Sequence, residues 1–279
     1  MKYLTELESA VLGFCVKEHH IDCLCAKKLL KIEKESGKIL FEKEVFEKEG
    51  LAKILKADEE QIIVSDFCTL NVFNQDYELI GKWQIGEDLS SDICGMVIDE
   101  RTIFCSIRNG RLVTIDRHSF EQKEYVVSDS SMWSLKIYDK YLLCGTVDGQ
   151  LLLLDRESMT IEKRLVLGKK NIRSLFVDGE ILYAASQDKK LFKINLPKFE
   201  VHAIQKNVHK KMFDCAGLYD DMVVTVSYPC SEIVLWNKNT LEKIKEINLP
   251  LKLSGDTYID ENKLYRCSRN ISGIGLIGL

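Results

Sequence analysis

The sequence predicts an all-β protein, a seven-bladed β-propeller of four-stranded antiparallel blades, on three observations. A five-residue apolar pattern, most often ending in Asp or Asn, recurs as LLKIE from Leu29, LNVFN from Leu70, LVTID from Leu112, LLLLD from Leu151, LFKIN from Leu191, IVLWN from Ile233 and IGLIG from Ile274, at intervals of 39–42 residues. Asn109-Gly110 and Asp148-Gly149 precede two of these runs, and both residues of such pairs tolerate the positive φ of a two-residue hairpin. The last repeat stops after its apolar run, one strand short, while the first nine residues, MKYLTELES, read as the strand it lacks.

Each period supplies its strands in a fixed order. The first, as in IRSLFV (172–177), leads into an acidic turn such as DGE from Asp178, DEEQ from Asp58 or DERT from Asp99. Aspartate suits these turns because its carboxylate bonds nearby backbone N–H groups. The second, as in ILYAAS (181–186), turns into the five-residue apolar run as the third strand. The fourth alternates openly, as in TIEKRLVL from Thr160, which leaves one face wet and marks an outer edge. Such a sheet buries its faces only when neighbours stack on it. The N-terminal strand is therefore expected to join the last blade and close the ring, making residues 1–279 a single domain. In this register Pro197, Pro229 and Pro250 fall in turns, where a missing N–H costs nothing.

Hydrophobic residues make up 46% of the 279, enough for a full core, and the formal charge is −4. That balance lacks the basic excess needed for whole-molecule attraction to nucleic acid or anionic lipid, so neither is an expected partner. No stretch approaches the length of a membrane span. Glu6 and Glu8 stand before an apolar run too short for a signal peptide, so a cytoplasmic chain with its ten cysteines reduced is expected.

The segment LLCGTVDGQLLLLDRES from Leu142 resembles the second half of a WD repeat, and IVLWNKNT keeps Trp236-Asn237 where that family usually has Trp-Asp. The similarity spans all seven units and is clearest in the third to sixth. The KESGKIL turn from Lys34 is instead similar to quinoprotein-like propellers. The resemblance implies a propeller that acts as a docking platform. No Gly-His dipeptide precedes the blades, so the buried His-centred hydrogen-bond network of WD repeats is expected to be missing. The tryptophan-docking motif of quinoprotein blades is also absent, and no cofactor is expected.

Four donors within HHIDCLC, His19, His20, Cys23 and Cys25, can in principle surround zinc. The spacing matches no zinc motif, and Cys23 and Cys25 alternate onto one face of a strand while the histidines sit in the preceding turn. Cys23, Cys105, Cys144 and Cys267 read as one small apolar slot repeated between blades, which favours a structural role. No nucleophile elbow or phosphate-binding glycine loop is present, and His118 and His202 fall in a turn and on an outer strand.

Charge placement is more informative. On the face formed by the turns after the second strand and the connections between blades, three loops converge: GKKNIR with Lys169, Lys170 and Arg173, the turn with Lys189 and Lys190, and KNVHKK with Lys206, His209, Lys210 and Lys211. Asp66, Glu87, Asp88, Asp92 and Asp129 form an acidic counterpart, so the face is expected to be dipolar. Lys53, Asp92, Ser134, Arg173, Asp214 and Asp256 open the inner strands, and Trp133 and Phe213, nearby, are expected to wedge between blades.

Two functions follow. The first is a non-catalytic scaffold, monomeric by itself, that binds a protein or peptide with an acidic segment through the basic loops. The second is a small propeller lyase or hydrolase, with Arg173 as electrophilic clamp and His209 or Asp214 as base.

Overall fold

The computed structural model describes residues 2–46, 54–87, 89–228, 230–253, 256–268 and 271–279. The described residues form seven four-stranded antiparallel sheets. The last blade takes its outer strand from the start of the chain, β1 (Lys2–Glu6). The first contains β2 (Val11–Val16), β3 (His20–Cys25), β4 (Lys28–Glu33) and β5 (Ile39–Glu44); the second β6 (Ile54–Ala57), β7 (Ile62–Ser65), β8 (Thr69–Phe73) and β9 (Leu79–Gln84). The third holds β10 (Ile93–Ile98), β11 (Thr102–Ile107), β12 (Arg111–Asp116) and β13 (Gln122–Val126). The fourth holds β14 (Met132–Tyr138), β15 (Tyr141–Thr146), β16 (Gln150–Asp155) and β17 (Ile161–Val166). In the fifth are β18 (Ile172–Asp178), β19 (Ile181–Ser186), β20 (Lys190–Asn195) and β21 (Glu200–Lys206); in the sixth β22 (Phe213–Tyr219), β23 (Met222–Ser227), β24 (Cys230–Asn237) and β25 (Lys243–Leu253). The seventh is β26 (Thr257–Asp260), β27 (Lys263–Ser268) and β28 (Ile271–Gly278), completed by β1.

The strands gather into two compact units, residues 1–88 with 249–279, and residues 89–248. In the first, β1 runs antiparallel to β28, with Lys2 opposite Leu276 and Glu6 opposite Gly273. This is the expected ring closure. Its core packs Val11, Phe14, Ile21 and Cys23 of the first blade on Tyr265, Cys267 and Ile274 of the seventh. In the second unit, Leu143 and Leu151 of the fourth blade meet Ile172, Leu182 and Phe192 of the fifth. Tyr183 and Leu191 of the fifth meet Phe213, Val223 and Trp236 of the sixth.

The Asp or Asn ending the third strand has a structural reason. Asp155 Oδ1 accepts the N–H groups of Glu157 and Ser158 at 3.1 and 2.9 Å, and Met159 N–H returns to Asp155 O at 2.9 Å. Met159 has φ +56° and a buried side chain. Phe120 after Asp116 and Leu241 after Asn237 repeat this turn, each returning its N–H to that residue's carbonyl at 2.9 Å, while Phe199, after Asn195, donates to Leu196 O at 3.2 Å; all three have positive φ and none is branched at Cβ, as that conformation favours. One sequence expectation is corrected: Pro250 lies inside β25, not in a turn. Pro229 falls outside the described residues.

Candidate functional site

Three loops of the second unit carry the predicted lysines, and the backbone brings them together. Val208 N–H donates to Lys189 O at 3.2 Å, which lays the 207–212 connection against the turn of the fifth blade. A Cβ on Gly168 would meet Asp188 Oδ2 at 3.3 Å and Lys190 Nζ at 4.0 Å, so the 167–171 connection abuts the same turn. Lys169, Lys170, Lys206, Lys210 and Lys211 are exposed, whereas Lys189 and Lys190 are half-buried and Lys190 is paired with Asp188.

Two members of the predicted set have other engagements. Arg173 Nε lies 3.1 Å from Asp214 Oδ1, and its guanidinium stacks over the Tyr228 ring at 5.2 Å. His209 is withdrawn from the surface. Its Nδ1 is 2.6 Å from Glu232 Oε2 and its Nε2 2.8 Å from Thr225 Oγ1, which also accepts Trp236 Nε1–H at 2.7 Å. The His-centred network that the missing Gly-His dipeptide argued against is therefore present in the sixth blade, with Val208-His209 at its head. In the neutral ring the short bond to the carboxylate places the proton on Nδ1. The chain then runs one way: Trp236 donates to Thr225, Thr225 to His209, and His209 to Glu232. Burial lowers the His209 pKa, outweighing the Glu232 carboxylate that raises it. The sequence signal was the Thr225–Trp236 pair on adjacent strands; Glu232, inside β24, was missed because nothing in its strand marks one acidic residue as the partner of a histidine on the connection before β22.

The enzymatic constellation is consequently only partly assembled, because Arg173 and Asp214 neutralise each other and both His209 nitrogens are bonded elsewhere. The four donors of HHIDCLC are not brought together either. Cys23 and Cys25 are buried in the core, His19 is exposed beside Glu18, and His20 points with Asp22 to the other face of β3. Asp22 is fully buried, 3.1 Å from Lys17 Nζ and accepting the Tyr77 hydroxyl at 2.7 Å, so this segment builds a structural ion pair within the first blade, to which a tyrosine of the second blade donates. Among the described residues no group of three His, Cys, Asp or Glu side chains is placed to hold a metal ion. Burial pushes the Cys105 thiol up to about 12.

The repeated small slot also needs correction. Pairing with the third strand puts Cys23, Val64, Cys105, Cys144, Ala184 and Thr225 at equivalent places, but in the seventh blade the equivalent is Arg266, and Cys267 lies one residue on. Gly275 opposite Arg266 leaves room for it, and Thr257 Oγ1 accepts from its Nη1 at 2.5 Å.

The acidic counterpart is weaker than expected. Asp92 is buried and paired with Arg108 at 2.7 Å, and Asp66 Oδ1 caps its own turn by accepting Thr69 N–H. Asp88 and Lys53 fall outside the described residues. Of the aromatics expected to wedge, Phe213 is fully buried, but Trp133 is 40% exposed.

Comparison with solved structures matches this architecture over essentially its whole length. The β-propeller domain of Myceliophteria thermophila Cps50 (Swd1) superposes with a TM-score of 0.81 at 10% identity, covering 98% of each chain. The chain has the fold of a WD-repeat-like propeller. The computationally designed Ika8 protein aligns over 100% of both chains with a TM-score of 0.74, also at 10% identity. No family model and no curated protein matches the sequence. For this WD-repeat-like chain the likeness extends to the fold, and its site residues are its own. None of its described helices is long and apolar enough to cross a membrane.

Proposed function

We propose that this propeller is a protein-interaction scaffold that docks an acidic segment of a partner on the connecting-loop face of its fourth to sixth blades. The observation that carries the reading is the convergence of three lysine-bearing loops, with Lys169, Lys170, Lys206, Lys210 and Lys211 exposed around it. Exposed lysines on flexible stems give modest attraction individually, but a set on adjoining loops steers and orients an anionic partner. A WD-repeat-like fold supports a scaffold role in general terms.

Charge reversal tests the reading. Carrying Lys170→Glu, Lys210→Glu and Lys211→Glu together, the chain is expected to lose the partner that the unmodified chain captures from a cell extract, with its fold unchanged by circular dichroism. Equal capture by both forms removes these loops from the interface.

A further inference from the structure

The inner strands of three successive blades begin with the same irregularity. In β14, Met132 pairs with Thr146 and Ser134 with Gly145, which leaves Trp133 as an extra, unpaired residue. In β18, Ile172 pairs with Ser186 and Ser174 with Ala185, leaving Arg173; in β10 the residue left over is Cys94. A bulge of this kind re-aims one side chain out of the sheet. Burial agrees for β14, since Met132 and Ser134 are buried on either side of the exposed Trp133.

The bulges are also anchored. Ser134 Oγ donates to Ile172 O at 2.8 Å, and Cys215 N–H donates to Ser174 Oγ at 2.7 Å, so each bulge serine ties its blade to the next inner strand. Trp133, Arg173 and Asp214 are thereby held at fixed positions along one rim. Arg173 is occupied by Asp214 and Tyr228. Trp133 has no hydrogen-bond or ring partner among the described residues, unlike Trp236, which is buried and bonded to Thr225. Val147, 40% exposed, follows Thr146, the partner of Met132, and its N–H donates to Ser131 O at 2.9 Å, so it sits at the same end of the strand pair as Trp133. The loop carrying Lys169 and Lys170 runs directly into the Arg173 bulge one blade along.

We infer that Trp133 and Val147 form the apolar anchor point of the docking face, taking an aliphatic or aromatic side chain from the same segment whose acidic residues meet the lysines. This rests on the docking reading above and adds a sequence requirement: acidity alone is insufficient, and one apolar residue must accompany it. A solvent-facing tryptophan at an anchored bulge, with lysine-bearing loops one blade along, is the kind of residue that dominates interface energetics. The charge of the adjoining loops selects an acidic segment as occupant.

The test uses two fluorescein-labelled decapeptides, each a run of Glu and Gly, one with a single central Leu and the other with Ala in its place. Fluorescence anisotropy is read for the unmodified chain, Trp133→Ala, Trp133→Phe and the triple lysine reversal. The Leu peptide is expected to bind the unmodified chain roughly tenfold more tightly than the Ala peptide. Trp133→Ala should erase that preference, Trp133→Phe should keep most of it, and the lysine reversal should weaken both peptides. Equal binding of the two peptides to the unmodified chain, with loss on lysine reversal, overturns the anchor and leaves the docking reading standing. Binding of neither peptide contradicts both.

Discussion

Thr225 is the pivot of the sixth blade, because one hydroxyl accepts from Trp236 and donates to His209 inside the core. Thr225→Val conserves shape and removes both bonds, leaving the indole N–H and the imidazole Nε2 buried without partners. Two such orphans cost roughly 2–4 kcal/mol, to be read as a lower denaturant midpoint at unchanged slope. His209 adds a pH dependence of defined sign. Its folded pKa is lowered, so the network's contribution is complete above the unfolded value of about 6.5 and falls as the pH drops from there towards the folded value. Denaturation at pH 7.5 and pH 5 should show a loss of stability on acidification that is smaller in His209→Gln; an identical loss in both would place the titration elsewhere. At this scale the sequence was only partly legible. Lys169 and Lys170 read correctly as exposed, but nothing in KNVHKK distinguishes a buried histidine from its exposed lysine neighbours, because the withdrawal of His209 depends on Thr225 and Glu232 two strands away.

At the scale of strands and turns, the closure of the seventh blade depends on two close backbone approaches. Gly37, at φ +73° in the turn of the first blade, lies so near β1 that a Cβ would fall 1.9 Å from Leu4 O. Gly273, at φ +151° in β28, would place a Cβ 2.5 Å from Thr5 O. Gly37→Ala therefore meets both backbone strain and a collision, and is expected to release β1 first, seen as fast amide exchange over residues 2–6 with slower exchange kept in the fourth and fifth blades. Uniform destabilisation would show that closure is not localised there. The repeat, the places of the hairpin turns and the strand lent by the N-terminus were readable because period and alternation survive when residue identities drift, but Asn109-Gly110 and Asp148-Gly149 sit in three-residue connections, not two-residue hairpins, with only the glycine at positive φ. The bulges were not. Their signal is a small residue in third place, Gly13, Gly95, Ser134 and Ser174, and it is visible only once the pairing shows which residue is left over.

At the scale of the molecule, the formal charge of −4 means that an acidic partner gains nothing from the net charge and must be held by a local field, which salt screens within about 10 Å. The location of the lysines on adjoining loops is what makes such a field possible. The partner's identity is not written in the chain, since exposed lysines are alike in sequence whether they meet solvent or a ligand. The central claim is that the loops of the fourth to sixth blades are the docking surface. Hydrogen–deuterium exchange of the chain with and without its captured partner tests it most directly. The account predicts new amide protection over residues 167–171, 187–190 and 206–212; protection confined to the outer strands or to the turns on the opposite face would contradict it.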